Sequence, residues 1–144
     1  MSNYLDFYYY KYEGDSNKKL FFEKILNQLG SDYFSDNVLL QQELIEREDE
    51  GCSIIADGLA MPHIVSTSIV RNVVAVVSIP RSFSGWYQKM SVDTAIVLLV
   101  KEDNKADELE EIQNIIKKLS IDKNCEFIRV ANVEEIEELL MFRK

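Results

Sequence analysis

The 144 residues carry 16 Lys and Arg against 25 Asp and Glu, a formal charge of −9, with 47% hydrophobic and 28% charged residues. That is the composition of one globular domain, spanning residues 1–144, and a chain of this size buries roughly 70% of the surface it exposes when unfolded. The acidic balance excludes DNA or RNA as a direct ligand, because a phosphate backbone is met by a basic footprint.

Two cysteines, Cys52 and Cys125, form no CxxC pattern and read as buried thiols in a reducing compartment. Neither a metal nor a cofactor is implied. No apolar run approaches the ~20 residues of a membrane span, and Met1 to Tyr4 lack the basic and apolar regions of a signal peptide. The expected location is cytoplasmic, without membrane insertion.

Tyr4-Leu-Asp-Phe-Tyr-Tyr-Tyr10 is aromatic-rich, favours a pleated backbone, and ends at the turn residues Glu13-Gly-Asp15. It predicts a first strand. Asp15 or Ser16 can cap a helix whose apolar residues Phe22, Ile25, Leu26 and Leu29 precede a stop at Gly30. A second helix is predicted from Ser35 to near Gly51, with a stripe of Val38, Leu39 and Ile45 and with Arg47 close to its end.

The segment from Gly51 to His63 fits neither periodicity and predicts a loop, or a turn into a strand. Asn72 to Ile79 and Ala95 to Val100 are β-branched, apolar runs, as expected of strands covered on both faces. Between them, Pro80 to Met90 predicts a surface connection anchored by Trp86. Asn104 is the expected cap of an amphipathic helix through Leu109, Ile112, Ile115, Ile116 and Leu119. Asn132 with Glu135 forms a capping-box pattern ahead of Val133, Ile136, Leu139 and Leu140. Cys125 to Val130 is compatible with a strand or a helical turn. Helices alternating with strongly apolar strands predict an α/β fold, a three-layer α/β/α sandwich with a central mixed sheet flanked by helices.

His63, the only histidine, follows Pro62, which fixes φ and holds Met61 extended, so the imidazole is presented from a stiffened backbone. A neutral imidazole keeps one lone-pair nitrogen for attack while the other donates to an orienting acceptor, which makes His63 a competent nucleophile toward a phosphoryl group. Arg47 has the planar fork that matches phosphate oxygens. Its structural alternative is an ion pair with Glu43, one turn back on the helix. Ser53 carries a hydroxyl that can donate to phosphate or bond locally within the turn.

The segment Arg47-Glu-Asp-Glu-Gly-Cys-Ser-Ile-Ile-Ala-Asp-Gly-Leu-Ala-Met-Pro-His63 resembles the active-site signature of EIIA domains of the bacterial phosphoenolpyruvate-dependent sugar phosphotransferase system (PTS), fructose/mannitol type. Shared features are an Arg-Glu pair, a turn-rich loop and a Gly-x-Ala-x-Pro-His end at the same spacing. The resemblance extends over nearly the whole chain and favours a helical turn for Asp122 to Val130. It implies that His63 is phosphorylated by the phosphocarrier HPr and that Arg47 and Ser53 hold the phosphoryl group.

The sequence departs from the family pattern in the loop, where Ile54 and Ala56 replace glycines and Asp57 replaces an amide, a carboxylate that repels phosphate if it faces it. No second histidine precedes the long helix, where Asp107 and Glu108 are the candidate helpers. Ile79 to Trp86 and Val92 to Asp103 look more like the EIIA-like domains of sugar-operon transcriptional activators and antiterminators, which implies a domain excised from a longer regulator. Three readings follow: a regulatory phosphoacceptor domain, a transport component that passes the phosphoryl group to an EIIB domain, or a degenerate binding module.

Overall fold

A computed structural model describes residues 4–142, in which β1 (Asp6–Lys11), α1 (Lys18–Leu29), α2 (Asn37–Glu50), β2 (Ile54–Ala56), β3 (Gly58–Ala60), β4 (His63–Ser66), β5 (Val73–Tyr87), β6 (Met90–Lys101), α3 (Ala106–Leu119), α4 (Asp122–Val130) and α5 (Val133–Met141) follow in order. The strands form one mixed sheet in the order β1-β5-β6-β3-β2, with β4 also paired to β6. The two apolar runs are its central hairpin: Val73 pairs with Leu99 and Ser78 with Thr94, antiparallel. β1 lies parallel to β5, while β3 and β4 lie parallel to β6.

Side chains alternate across the pleat and so feed two cores. Val73, Ala75, Val77, Ala95, Val97 and Leu99 face α1 and α2, where Phe21, Phe22, Ile25, Leu40 and Leu44 meet them. Val74, Val76, Ile96, Leu98 and Val100 face the other three helices through Ile112, Ile115, Leu119, Ile128, Ile136 and Leu140. Both faces of the sheet are therefore covered, as a three-layer sandwich requires. No helix of the described residues is long and apolar enough to cross a membrane.

Several boundaries differ from expectation for identifiable reasons. Asn17, not Asp15 or Ser16, caps α1 by accepting from the Leu20 amide at 3.0 Å, and Asp36 does the same for α2. Within α2 the buried positions are Leu40, Leu44 and Glu48, whereas Val38 and Leu39 are exposed, so the helix is rotated from the expected stripe. Asn104 does not cap α3. Its side chain joins the buried Asn72 to the Lys101 carbonyl, and Glu108 reaches back to the Lys105 amide at the helix start.

The expected loop between Gly51 and His63 contains the short strands β2 and β3. The expected surface connection at Pro80 to Met90 is instead a continuation of β5, with two register shifts, into a hairpin with β6. Trp86 is buried there, edge-on to Phe21, Phe22 and Phe83 with ring centroids 4.9–6.4 Å apart. Cys125 is buried as expected, and burial pushes its thiol pKa up. Cys52 is exposed, because it lies in the turn that leaves α2. Asp122 to Val130 is helical, and the Asn132–Glu135 capping box is formed in both directions.

Candidate functional site

The end of α2, the turn after it and the first residue of β4 converge on one small depression lined by Arg47, Glu48, Gly51, Cys52, Ser53 and His63. Its volume of about 60 Å3 is far below the ~300–1,000 Å3 typical of a small-molecule site. It has room for a small chemical group and not for a whole sugar. Its walls are fixed because β4 is anchored to the sheet: the Leu98 amide donates to the Pro62 carbonyl at 2.9 Å and His63 pairs with Leu98.

His63 is half-buried. Its Nδ1 lies 2.9 Å from the Met61 carbonyl oxygen. A carbonyl only accepts, so Nδ1 carries the proton, and the neutral ring presents its lone pair at Nε2. Met61 is itself held, since its amide donates to the Ser53 carbonyl at 2.8 Å.

Arg47 stands in the last turn of α2, where a cation complements the helix dipole. It is exposed, and among the described residues no side chain pairs with its guanidinium. The alternative partner Glu43 instead accepts a hydrogen bond from the Ser66 hydroxyl at 2.6 Å. Glu48, next to Arg47 but buried, is matched by Lys18 at 3.1 Å. The depression thus offers an uncommitted guanidinium beside a histidine, the combination that meets an oxyanion.

Ser53 lines the same depression, with its hydroxyl donating to Glu48 and accepting from the Trp86 indole N–H, both at 2.9 Å. The sequence indicated neither partner, because one is a buried acid and the other a tryptophan that reads as surface-placed.

Asp57 sits in the β2–β3 turn and lines other hollows beside Arg129 and Lys89, so its carboxylate does not share the His63 depression. Ile54 packs on the α1/α2 core and Ala56 on the opposite one, which accounts for side chains where glycines were expected. Glu108 is held by Lys101 and the Lys105 amide, which lower its pKa, and neither it nor Asp107 lines the depression.

A mixed sheet sandwiched by helices thus places one histidine and an arginine without a side-chain partner at one shallow depression, where the two could meet an oxyanion. The family model for the phosphoenolpyruvate-dependent sugar phosphotransferase system, EIIA 2, matches residues 13–142, and the chain belongs to that family. No curated protein matches it significantly.

Among solved structures it is similar to the nitrogen regulatory protein IIA-Ntr of Neisseria meningitidis, with TM-score 0.72 and 22% identity over 92% of this chain and 91% of that one. It is also similar to IIA mannitol of Escherichia coli, with TM-score 0.62 and 15% identity over 92% and 94%. A complex of enzyme IIA mannitol with phosphorylated enzyme IIB mannitol from the same organism matches with TM-score 0.63 and 14% identity over 94% of each chain. At these identities the likeness shows the fold.

Proposed function

We propose that this domain accepts a phosphoryl group from HPr on Nε2 of His63. The observation that carries the reading is the Nδ1 contact to the Met61 carbonyl, which leaves Nε2 as the lone-pair nitrogen in the depression that Arg47 also lines. The Nε2–P bond forms as the N–P bond of the donor phosphohistidine breaks. The donor ring, protonated on its other nitrogen, leaves as a neutral imidazole. His63 keeps its proton on Nδ1, so the product ring is a cation that still donates to Met61. Arg47 meets the phosphoryl oxygens. Ser53 shares that task by turning its proton from Glu48 toward them.

A signalling role within a sugar-operon transcriptional regulator fits this site better than rapid relay to an EIIB domain. The chain has a single histidine, Asp107 and Glu108 stand outside the depression, and the one carboxylate that lines it, Glu48, is engaged by Lys18 and Ser53, which leaves no second histidine or helper acid to assist onward transfer. A new dianion at the surface is then a signal that alters contacts between domains. The IIA mannitol complex with phosphorylated IIB keeps the transport reading open to test.

Incubation with phosphoenolpyruvate, enzyme I and HPr is expected to label the domain, with His63→Ala unlabelled and slow onward transfer to an added EIIB domain. Fast turnover to EIIB would favour the transport component. A wild-type domain left unlabelled under conditions that label an active EIIA would make it the degenerate module.

A further inference from the structure

Glu48 is 6% exposed, a buried carboxylate that enters the phosphoryl step above only by releasing the Ser53 proton. Burying a charge is costly unless its partners are well placed, and a packed apolar residue is often as stable, so its position calls for a reason. Its Oε1 is shared by two groups: the Lys18 ammonium at 3.1 Å and the Ser53 hydroxyl at 2.9 Å. The hydroxyl also accepts from Trp86 Nε1, and Lys18 lies 5.1 Å from the centroid of the same indole. Side chains from α1 and the turn therefore meet at the Glu48 carboxylate of α2, and Trp86 of β5 joins them through Ser53 and Lys18.

From that node a continuous chain runs to the histidine. Ser53 is fixed through its side chain by Glu48 and Trp86. Its carbonyl accepts the Met61 amide at 2.8 Å, and the Met61 carbonyl accepts Nδ1–H of His63 at 2.9 Å. The peptide that orients the ring is thus held by the residue that Glu48 holds.

We propose that Glu48 is a positioning residue of this site: with its charge balanced by Lys18, it clamps Ser53, and through the Ser53–Met61 backbone bond it keeps the His63 ring donating from Nδ1 with Nε2 free. This rests on the phosphoacceptor reading for its consequence, but the ring orientation is measurable without any phosphoryl donor. Glu48 does not touch the phosphoryl group. Glu48→Gln keeps the shape but leaves Lys18 unbalanced and replaces the charge-assisted acceptor of the Ser53 proton with a weaker neutral amide oxygen, which loosens the clamp. Ser53→Ala breaks the link at its second member and serves if the first variant folds poorly.

The test is long-range 1H–15N NMR of the His63 ring in wild type, Glu48→Gln and Ser53→Ala, alongside the rate of labelling by phosphorylated HPr. The wild type should show the Nδ1–H tautomer, and both variants a mixture of tautomers. Labelling at saturating HPr should fall roughly 10- to 100-fold, the order expected when a reacting group is misplaced by about an ångström. The concentration of HPr giving half-maximal rate should stay within about twofold, since a buried residue adds nothing to docking.

A tautomer population unchanged in both variants overturns the proposal whatever the rates do. A wild type that shows the fixed tautomer yet takes no label, with variants that lose that tautomer, sinks the phosphoacceptor reading and leaves the positioning role standing.

Discussion

The indole N–H of Trp86 donates to the Ser53 hydroxyl across 2.9 Å, joining the aromatic cluster under α1 to the turn that lines the His63 depression. Trp86→Phe keeps an edge-to-face partner for Phe21 and Phe83 but removes this donor and opens a void beside them. We expect a loss of about 2 kcal/mol, combining one hydrogen bond with partial cavity formation. Urea unfolding followed by circular dichroism measures it, and a loss below about 0.5 kcal/mol would mean that the indole is replaceable there.

Gly58 adopts φ +76°, and a Cβ there would lie 2.6 Å from the Arg129 guanidinium carbon. That guanidinium pairs with Asp93 through contacts of 3.1 and 2.6 Å. Gly58→Ala should cost about 1–2 kcal/mol for the left-handed backbone. It should also expel Arg129 from Asp93, a partly exposed pair whose loss adds little. In a double-mutant cycle with Arg129→Ala the two costs should sum to more than the double variant loses, because one change has already removed what the other breaks.

Asp6 accepts from Arg71 at 2.7 and 3.0 Å and from the Tyr33 hydroxyl at 2.9 Å, fastening the start of β1 to the segment before β5. The Arg71 hydrogen bond holds the Asp6 carboxyl below its ordinary 3.8. Its contribution is therefore complete above pH 3.8 and is lost as pH falls through the lower folded value. Burial first, and then Asp6, push the Tyr33 pKa from 10.0 up to about 12. That contribution is complete below pH 10 and disappears as pH rises toward 12. Chemical unfolding across pH 2–12 should show both flanks, with Asp6→Asn flattening the acid side and Tyr33→Phe the alkaline side. An acid flank unchanged by Asp6→Asn would assign acid sensitivity to other carboxylates.

Arg47 has no partner among the described side chains in the unphosphorylated domain. Arg47→Ala should leave folding stability within about 0.5 kcal/mol of wild type. The same change should slow labelling of His63 on the order of 100-fold, the usual consequence of removing one preorganised donor to a developing charge. Comparable labelling rates would remove Arg47 from the phosphoryl site.

What the sequence disclosed and what it hid follow from distance along the chain. Arg47 and His63 were legible because the helix end, the turn and the proline-stiffened histidine lie in one contiguous segment. Val73 to Ile79 and Ala95 to Val100 were legible as strands because both of their faces are apolar.

Glu48 was not legible as a buried group, since its charge partner Lys18 comes from α1 and the Trp86 that fixes its other partner, Ser53, comes from β5. A carboxylate on a helix normally reads as solvated. The exposed Val38 and Leu39 misplaced the face of α2, because hydrophobicity cannot show which side of a helix the sheet will cover. Ser82, Ser84 and Gly85 read as turn residues, yet β5 passes through them with register shifts, Ser82 and Gly85 taking positive φ. That irregularity carries Phe83 and Trp86 inward while Ser82, Ser84 and Gly85 stay exposed.

In the proposed transfer, Nε2 of His63 receives the phosphoryl group while Nδ1 stays bound to the Met61 carbonyl. Long-range 1H–15N correlation of the domain before and after treatment with phosphoenolpyruvate, enzyme I and HPr tests this directly, with 31P detection of the new bond. One phosphohistidine signal is expected, coupled to Nε2 of His63, with the proton retained on Nδ1 and the signal absent from His63→Ala. Phosphorus coupled to Nδ1, or a phosphoryl signal that survives His63→Ala, would contradict it.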